Sequence, residues 1–206
     1  MVHETASNNQ DPNKTALYHV TPSLKNLLSK LGAPGLAYHN FITKSGEIYH
    51  CNDYTDITWH AGLYNTRSVG ICLAYLSEDA SGRDTIAPEE AQMLALEELL
   101  VTLCLNLKII PQGIIGHREV PGMFTIIGKG LKKYKKTCPG MMINLNKLRL
   151  NIAYRLQVIL AAEGLYTDEI DGLFGPLSIG ALAQHSPDPD LTGWLIPETW
   201  VSSIDR

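Results

Sequence analysis

Residues 132–140 read KKYKKTCPG, and the cysteine that closes this run is the first residue whose surroundings suggest chemistry. Five lysines fall between Lys129 and Lys136, and Cys138 is followed at once by Pro-Gly. A thiolate and two imidazoles with one open position make a catalytic zinc site of the kind metallohydrolases use. Two histidines stand where strand ends and loops collect reacting groups: His19, closing the apolar run TALYHV, and His117, closing GIIGH. Ligands of an α/β enzyme meet only in space, so the wide spacing of His19, His117 and Cys138 carries no objection. Each also has a plain reading. Free cysteines commonly fill cores, a lone histidine commonly packs or faces solvent, and a lysine run is commonly a solvated loop.

The elements that must position these residues follow from local pattern. Residues 1–13 read as a flexible leader, and TALYHV as a short strand. TPSLKNLLSKLG carries helix punctuation, with Thr21 as N-cap, Pro22 in the first turn and Gly32 as the stop. AYHNFITKSGEIYHC is a hairpin, two β-rich runs about the turn KSGE. RSVGICLAYL reads as a strand buried on both faces, and GIIGH as another short strand. Pro88 and two glutamates open a long helix running to about Leu107, with the acids at its positive end. LRLNIAYRLQVILAAEG is an amphipathic helix, followed by the turn-rich YTDEIDGLFGP and short helices over LSIGALAQH and PETWVSSI. The fold class is therefore α/β, a mixed central sheet flanked by helices, followed by a small all-α module. The boundary falls near 141–147, giving a leader at 1–13, a catalytic domain at 14–146 and a helical module at 147–206.

Composition sets limits on function. The net charge of −4 over 206 residues argues against general nucleic-acid binding, and the lysine run does not reverse it. From Ala161 onward there are eight acidic residues and one basic one, so the two ends of the chain present different surfaces. The four cysteines form no CxxC pair, which removes a zinc ribbon or a dense disulfide scaffold. The polar start MVHETASNNQDPNK lacks a signal-peptide plan, and no apolar run reaches bilayer-spanning length. The expectation is synthesis in the cytoplasm without a signal peptide, no membrane insertion, and action elsewhere only after release.

LYHVT, AYHNFI with its KSGEIY turn, WHAGLYNTRSVGICLAYL, GHREV and KKTCPG occur in that order. Together they resemble the zinc-dependent N-acetylmuramoyl-L-alanine amidase family, which includes amidase-type phage lysozymes and the peptidoglycan recognition proteins. The likeness covers about Ala16 to Lys147. It implies a Zn2+ ion held by His19 from an H-x-T word, His117 from the GH word, and Cys138 from K-T-C-P-G. It also implies that Tyr38, not His39, is the functional residue of YHNFI, and that Lys136 stabilises the oxyanion. Tyr38 would position water or assist proton transfer. His60 and Asn65 resemble residues lining the substrate groove, and Trp59 reads either as a stacking platform or as core. Glu119 reads as a salt-bridge partner near the metal rather than a base. His3, His50 and His185 have no supporting context. One departure is the long stretch between His117 and Cys138, where residues 118–135 look like an insertion whose role is open.

RLQVILAAEGLYTDEIDGLFGPLSIGALAQH resembles the peptidoglycan-binding three-helix module, through Leu156-Gln157, Gly164, Asp171-Gly172, Phe174-Gly175 and Ala181-Leu182. The implied function is zinc-dependent hydrolysis of the bond between N-acetylmuramic acid and L-alanine in peptidoglycan by a monomeric phage endolysin. The competing reading is a peptidoglycan recognition protein that binds glycan and stem peptide without cutting them.

Overall fold

The computed structural model describes residues 1–24, 30–120 and 137–187, together with the backbone of 124–127 and 132–135. Its centre is a four-stranded mixed sheet of β1 (Val2–Glu4), β2 (Asn40–Ile42), β3 (Ile48–His50) and β4 (Ile71–Leu73), in the order β1-β4-β2-β3. β4 runs parallel to both β1 and β2, and β3 returns antiparallel to β2 as the expected hairpin. Ile71, Cys72 and Leu73 are essentially inaccessible, as a central strand covered on both faces requires.

The chain's first residues are not a leader. Val2 and His3 are buried, and β1 pairs Val2, His3 and Glu4 with Ile71, Cys72 and Leu73. Burial of this strand removes the freedom a polar terminus would otherwise have. Residues 12–20 form a helix rather than a strand: α1 (Pro12–Val20) starts with Asp11, whose Oδ1 accepts from the Asn13 N–H at 2.8 Å, and with Pro12 at the first turn. That Asp-Pro start outweighs the β-forming residues that follow. Thr21 consequently ends α1, its hydroxyl donating to the Leu17 carbonyl, instead of starting the next helix. The middle of that expected helix, residues 25–29, lies outside the described residues.

α2 (Glu90–Leu107) lays Leu96, Leu99, Leu100, Leu103 and Cys104 into the core. Its buried Gln92 donates to the Ile42 carbonyl at 2.8 Å, tying helix to sheet. GIIGH is no strand: Pro111–Gly113 and His117–Glu119 are single 3-10 turns, and between them only Gly116 bridges β1. Within the stretch read as an insertion, β5 (Phe124–Ile127) and β6 (Lys132–Lys135) pair antiparallel.

α3 (Leu145–Ala162) and α4 (Pro176–Gln184) follow. Leu148, Ile152, Leu156 and Leu160 of α3 share one continuous core with α2 and β4. The conspicuous Gln157 is fully buried and acts as a hub. It donates toward Tyr166 Oη, Asp171 Oδ1, the Leu173 carbonyl and Ser178 Oγ, and accepts from the Gly172 N–H at 2.7 Å. The LQ and DGLFG words thus build the interior of this helical unit, with Gly172 at φ +77 supplying the turn. The expected helix over PETWVSSI lies outside the described residues.

Candidate metal centre

β1 places His3 at the base of a cleft of about 730 Å3. The parallel bridge between Val2 and Gly116, with the Val2 N–H donating to the Ile115 carbonyl at 2.8 Å, sets His117 beside it. The two imidazole centroids are 4.5 Å apart. The 3-10 turn that carries His117 also carries Arg118, which brings in the third group. The Arg118 N–H donates to the Cys138 carbonyl at 2.7 Å, and its guanidinium donates to the carbonyls of Gly140 at 2.5 Å and Ile143 at 2.6 Å. The Tyr75 hydroxyl holds the same loop through the Pro139 carbonyl.

His3, His117 and Cys138 each offer a donor atom, and these atoms lie within 4.8 Å of one another. Among the described residues this is the cluster with metal-ligating geometry. Cys138 Sγ also accepts from the Glu4 N–H at 3.4 Å, a contact that favours thiolate over thiol. Two imidazoles and a thiolate are a donor set that suits zinc.

His19 is not in this cluster. It sits on α1 and lines the same cleft, its Nδ1 accepting from the Ala37 N–H at 3.1 Å. Burial pushes its pKa down to about 4. His3, which had no supporting context in the sequence, takes the place expected for His19. The H-x-T word occurs twice, as His3-Glu4-Thr5 and His19-Val20-Thr21, and only the first lies on a strand.

Tyr38 lies in the cleft wall, with its ring 5.3 Å from that of His3 and 5.7 Å from that of His19. Burial, together with the neighbouring Cys72 and Cys138 sulfurs, drives its pKa well above the usual phenol range. His39 faces away from the cluster: its Nδ1 accepts from the Gly70 N–H at 2.9 Å and its Nε2 pairs with the Asp56 carbonyl at 3.2 Å. His60 is buried on the cleft floor with both ring nitrogens engaged, and burial lowers its pKa to about 3. Asn65 lines the cleft and its Oδ1 accepts from the Ala61 N–H at 2.6 Å, fixing the 3-10 turn Gly62–Arg67. Trp59 lies on the cleft wall, partly exposed. Glu119 Oε2 accepts from the Gly116 N–H at 3.0 Å and pairs with Arg149 of α3. Lys136 lies outside the described residues. Sequence reasoning missed Arg118 and Tyr75, although the GHREV word already contained the arginine.

A profile of the N-acetylmuramoyl-L-alanine amidase family matches residues 1–141. The chain belongs to that family. The match begins at the first residue and so includes β1. Two solved structures share the amidase's fold. The N-acetylmuramoyl-L-alanine amidase LysC from Clostridium intestinale URNW has a TM-score of 0.51 at 21% identity, over 73% of this chain and 81% of that one. The endolysine N-acetylmuramoyl-L-alanine amidase LysCS from the same organism has a TM-score of 0.51 at 21% identity, over 73% of this chain and 80% of that one. No curated protein matches the amidase.

Proposed function

We propose that this amidase holds one zinc ion on His3, His117 and Cys138 and hydrolyses the bond between the lactyl group of N-acetylmuramic acid and L-alanine, as a monomeric phage endolysin. The observation that carries the reading is the convergence of these three donor atoms, within 4.8 Å, at the base of an open cleft. Zinc bound there would supply Lewis acidity, polarising a carbonyl and acidifying water near neutral pH. Tyr38 keeps its proton at neutral pH, because its pKa is raised, and so positions the attacking water or hands on a proton. Lys136, two residues before Cys138, is assigned the developing oxyanion, where a cation acts on charge present only in the transition state. Asn65, Trp59 and the Gly62–Arg67 turn form the wall against which glycan or stem peptide lies.

The endolysin assignment draws on the similarity to LysCS, itself an endolysine. No helix among the described residues is long and apolar enough to cross a membrane. The α3–α4 unit is assigned to wall binding on its LQ and DGLFG words.

Purified protein should contain about one zinc per chain and release L-alanine amino groups from isolated walls, with the activity removed by chelation and restored by zinc. Zinc-loaded protein that pellets with walls yet frees no amino groups would overturn the hydrolytic reading in favour of a recognition protein.

A further inference from the structure

His60 lies directly behind His3, and the hydrogen bonds around it fix where its proton sits. His60 Nε2 is 3.1 Å from the Ser68 carbonyl, which can only accept. It is also 3.4 Å from Ser68 Oγ, whose own proton is committed to the Tyr64 carbonyl at 2.7 Å. Both neighbours of Nε2 are therefore acceptors, and Nε2 carries the hydrogen. In a buried neutral imidazole the other nitrogen, Nδ1, is then a bare lone pair. That lone pair meets His3 Nε2 at 3.0 Å, with the rings edge to face at 89°. His3 must answer as the donor, so its hydrogen is on Nε2 and its Nδ1 is the lone pair left for a metal. His3 Nδ1 is the nitrogen that faces Cys138 Sγ, at 3.8 Å.

We propose that His60 is a positioning residue that locks His3 in the Nε2–H tautomer and aims its Nδ1 at the metal. The chain of command runs from Tyr64 through Ser68 and His60 to His3. It ties the first ligand to the turn that walls the cleft, since Tyr64 lies in Gly62–Arg67 and Ser68 follows it directly. Room for the arrangement comes from Gly70: a β-carbon there would lie 2.8 Å from His60 Cγ. Imidazole ligands elsewhere are oriented by carboxylates or carbonyls; here a second imidazole does this, and a carbonyl orients the second imidazole in turn.

The inference rests on the zinc reading for one of its two tests. In the first, long-range 15N–1H correlation spectra of the metal-free protein should show His60 and His3 both protonated on Nε2 and bare on Nδ1. A protonated His60 Nδ1, or a bare His3 Nε2, would overturn it whether or not the protein binds zinc. The second test is zinc affinity, by competition with a chromophoric chelator. His60→Asn keeps an acceptor oxygen near the position of Nδ1 and should stay within about threefold of wild type, whereas His60→Gln reaches Ser68 but offers His3 no acceptor and should lose about 10–100-fold. Equal losses in the two variants, or losses that follow their melting temperatures, would reduce His60 to a packing residue. If wild type binds no zinc, the zinc reading fails and the spectra alone decide the relay.

Discussion

Tyr75 and Gly140 approach so closely that a single added carbon does not fit between them. A β-carbon at position 140 would lie 2.2 Å from the Tyr75 hydroxyl oxygen and 3.0 Å from Ser77 Cβ, and Gly140 has φ +105. Tyr75 is buried and its hydroxyl is bonded to the Pro139 carbonyl, so it cannot swing aside without releasing the loop that carries Cys138. Gly140→Ala combines overpacking with left-handed backbone strain and should cost about 2–4 kcal/mol, read from chemical denaturation. Zinc content should fall in the same variant, because the strain is relieved by moving the cysteine loop.

Ligand identity separates the two H-x-T words. His3→Ala removes a member of the cluster and should abolish stoichiometric zinc, as should Cys138→Ser. His19→Ala removes a bond to the Ala37 N–H and a ring contact with Tyr38 but no member of the cluster, and should retain zinc. Metal analysis of dialysed protein checks all three. Zinc lost from the His19 variant but kept in the His3 variant would reverse the assignment.

These two words show how much of the site was legible. His117 and Cys138 stand in words with fixed neighbours, GH and TCPG, and each could be read locally. The first histidine of the cluster could not, because His3 and His19 satisfy the same pattern and differ in secondary structure. β1 is three residues long and is a strand only because β4 and Gly116 pair with it, partners far along the chain that no local window contains. The Asp11-Pro12 start of α1 was the local clue against His19 on a strand. Hairpin, α2 and α3 were legible because their periodicities are long enough to speak for themselves. Arg118 acts through backbone carbonyls twenty-odd residues on, contacts that leave no mark on the residues contacted.

His39 tests the distinction between fold and metal. It is buried, accepts from the Gly70 N–H and pairs with Asp56 and Thr58, so it joins three segments of chain. His39→Ala strands a buried N–H and should cost about 2–4 kcal/mol while zinc stays bound, since no ligand is touched. A zinc-free but fully stable variant would contradict this.

Acid should weaken the fold through His19. Its pKa is lowered by burial from 6.5 to about 4, so the unfolded chain takes up a proton that the native state refuses. The stabilisation is complete above pH 6.5 and declines as pH falls toward 4, with a slope of at most ~1.4 kcal/mol per pH unit for this one group. His19→Asn keeps an acceptor for the Ala37 N–H without a titrating ring. Denaturation of the metal-free protein between pH 7 and 4 should therefore show a shallower dependence in the variant, by up to about one proton.

Gln157 tests whether the helical unit and the amidase core unfold together. Its amide fills the centre of the α3–α4 unit, and its Oε1 accepts from the Gly172 N–H at 2.7 Å. Gln157→Leu keeps the volume but leaves that N–H buried without its acceptor, and should cost about 2–3 kcal/mol. Because Leu148, Ile152, Leu156 and Leu160 belong to the same core as α2 and β4, that loss should appear as a lowered single transition, seen alike by far-ultraviolet circular dichroism and by the release of zinc. Two separated transitions, with zinc lost only in the second, would show that α3 is held to the catalytic part more loosely than its shared core indicates.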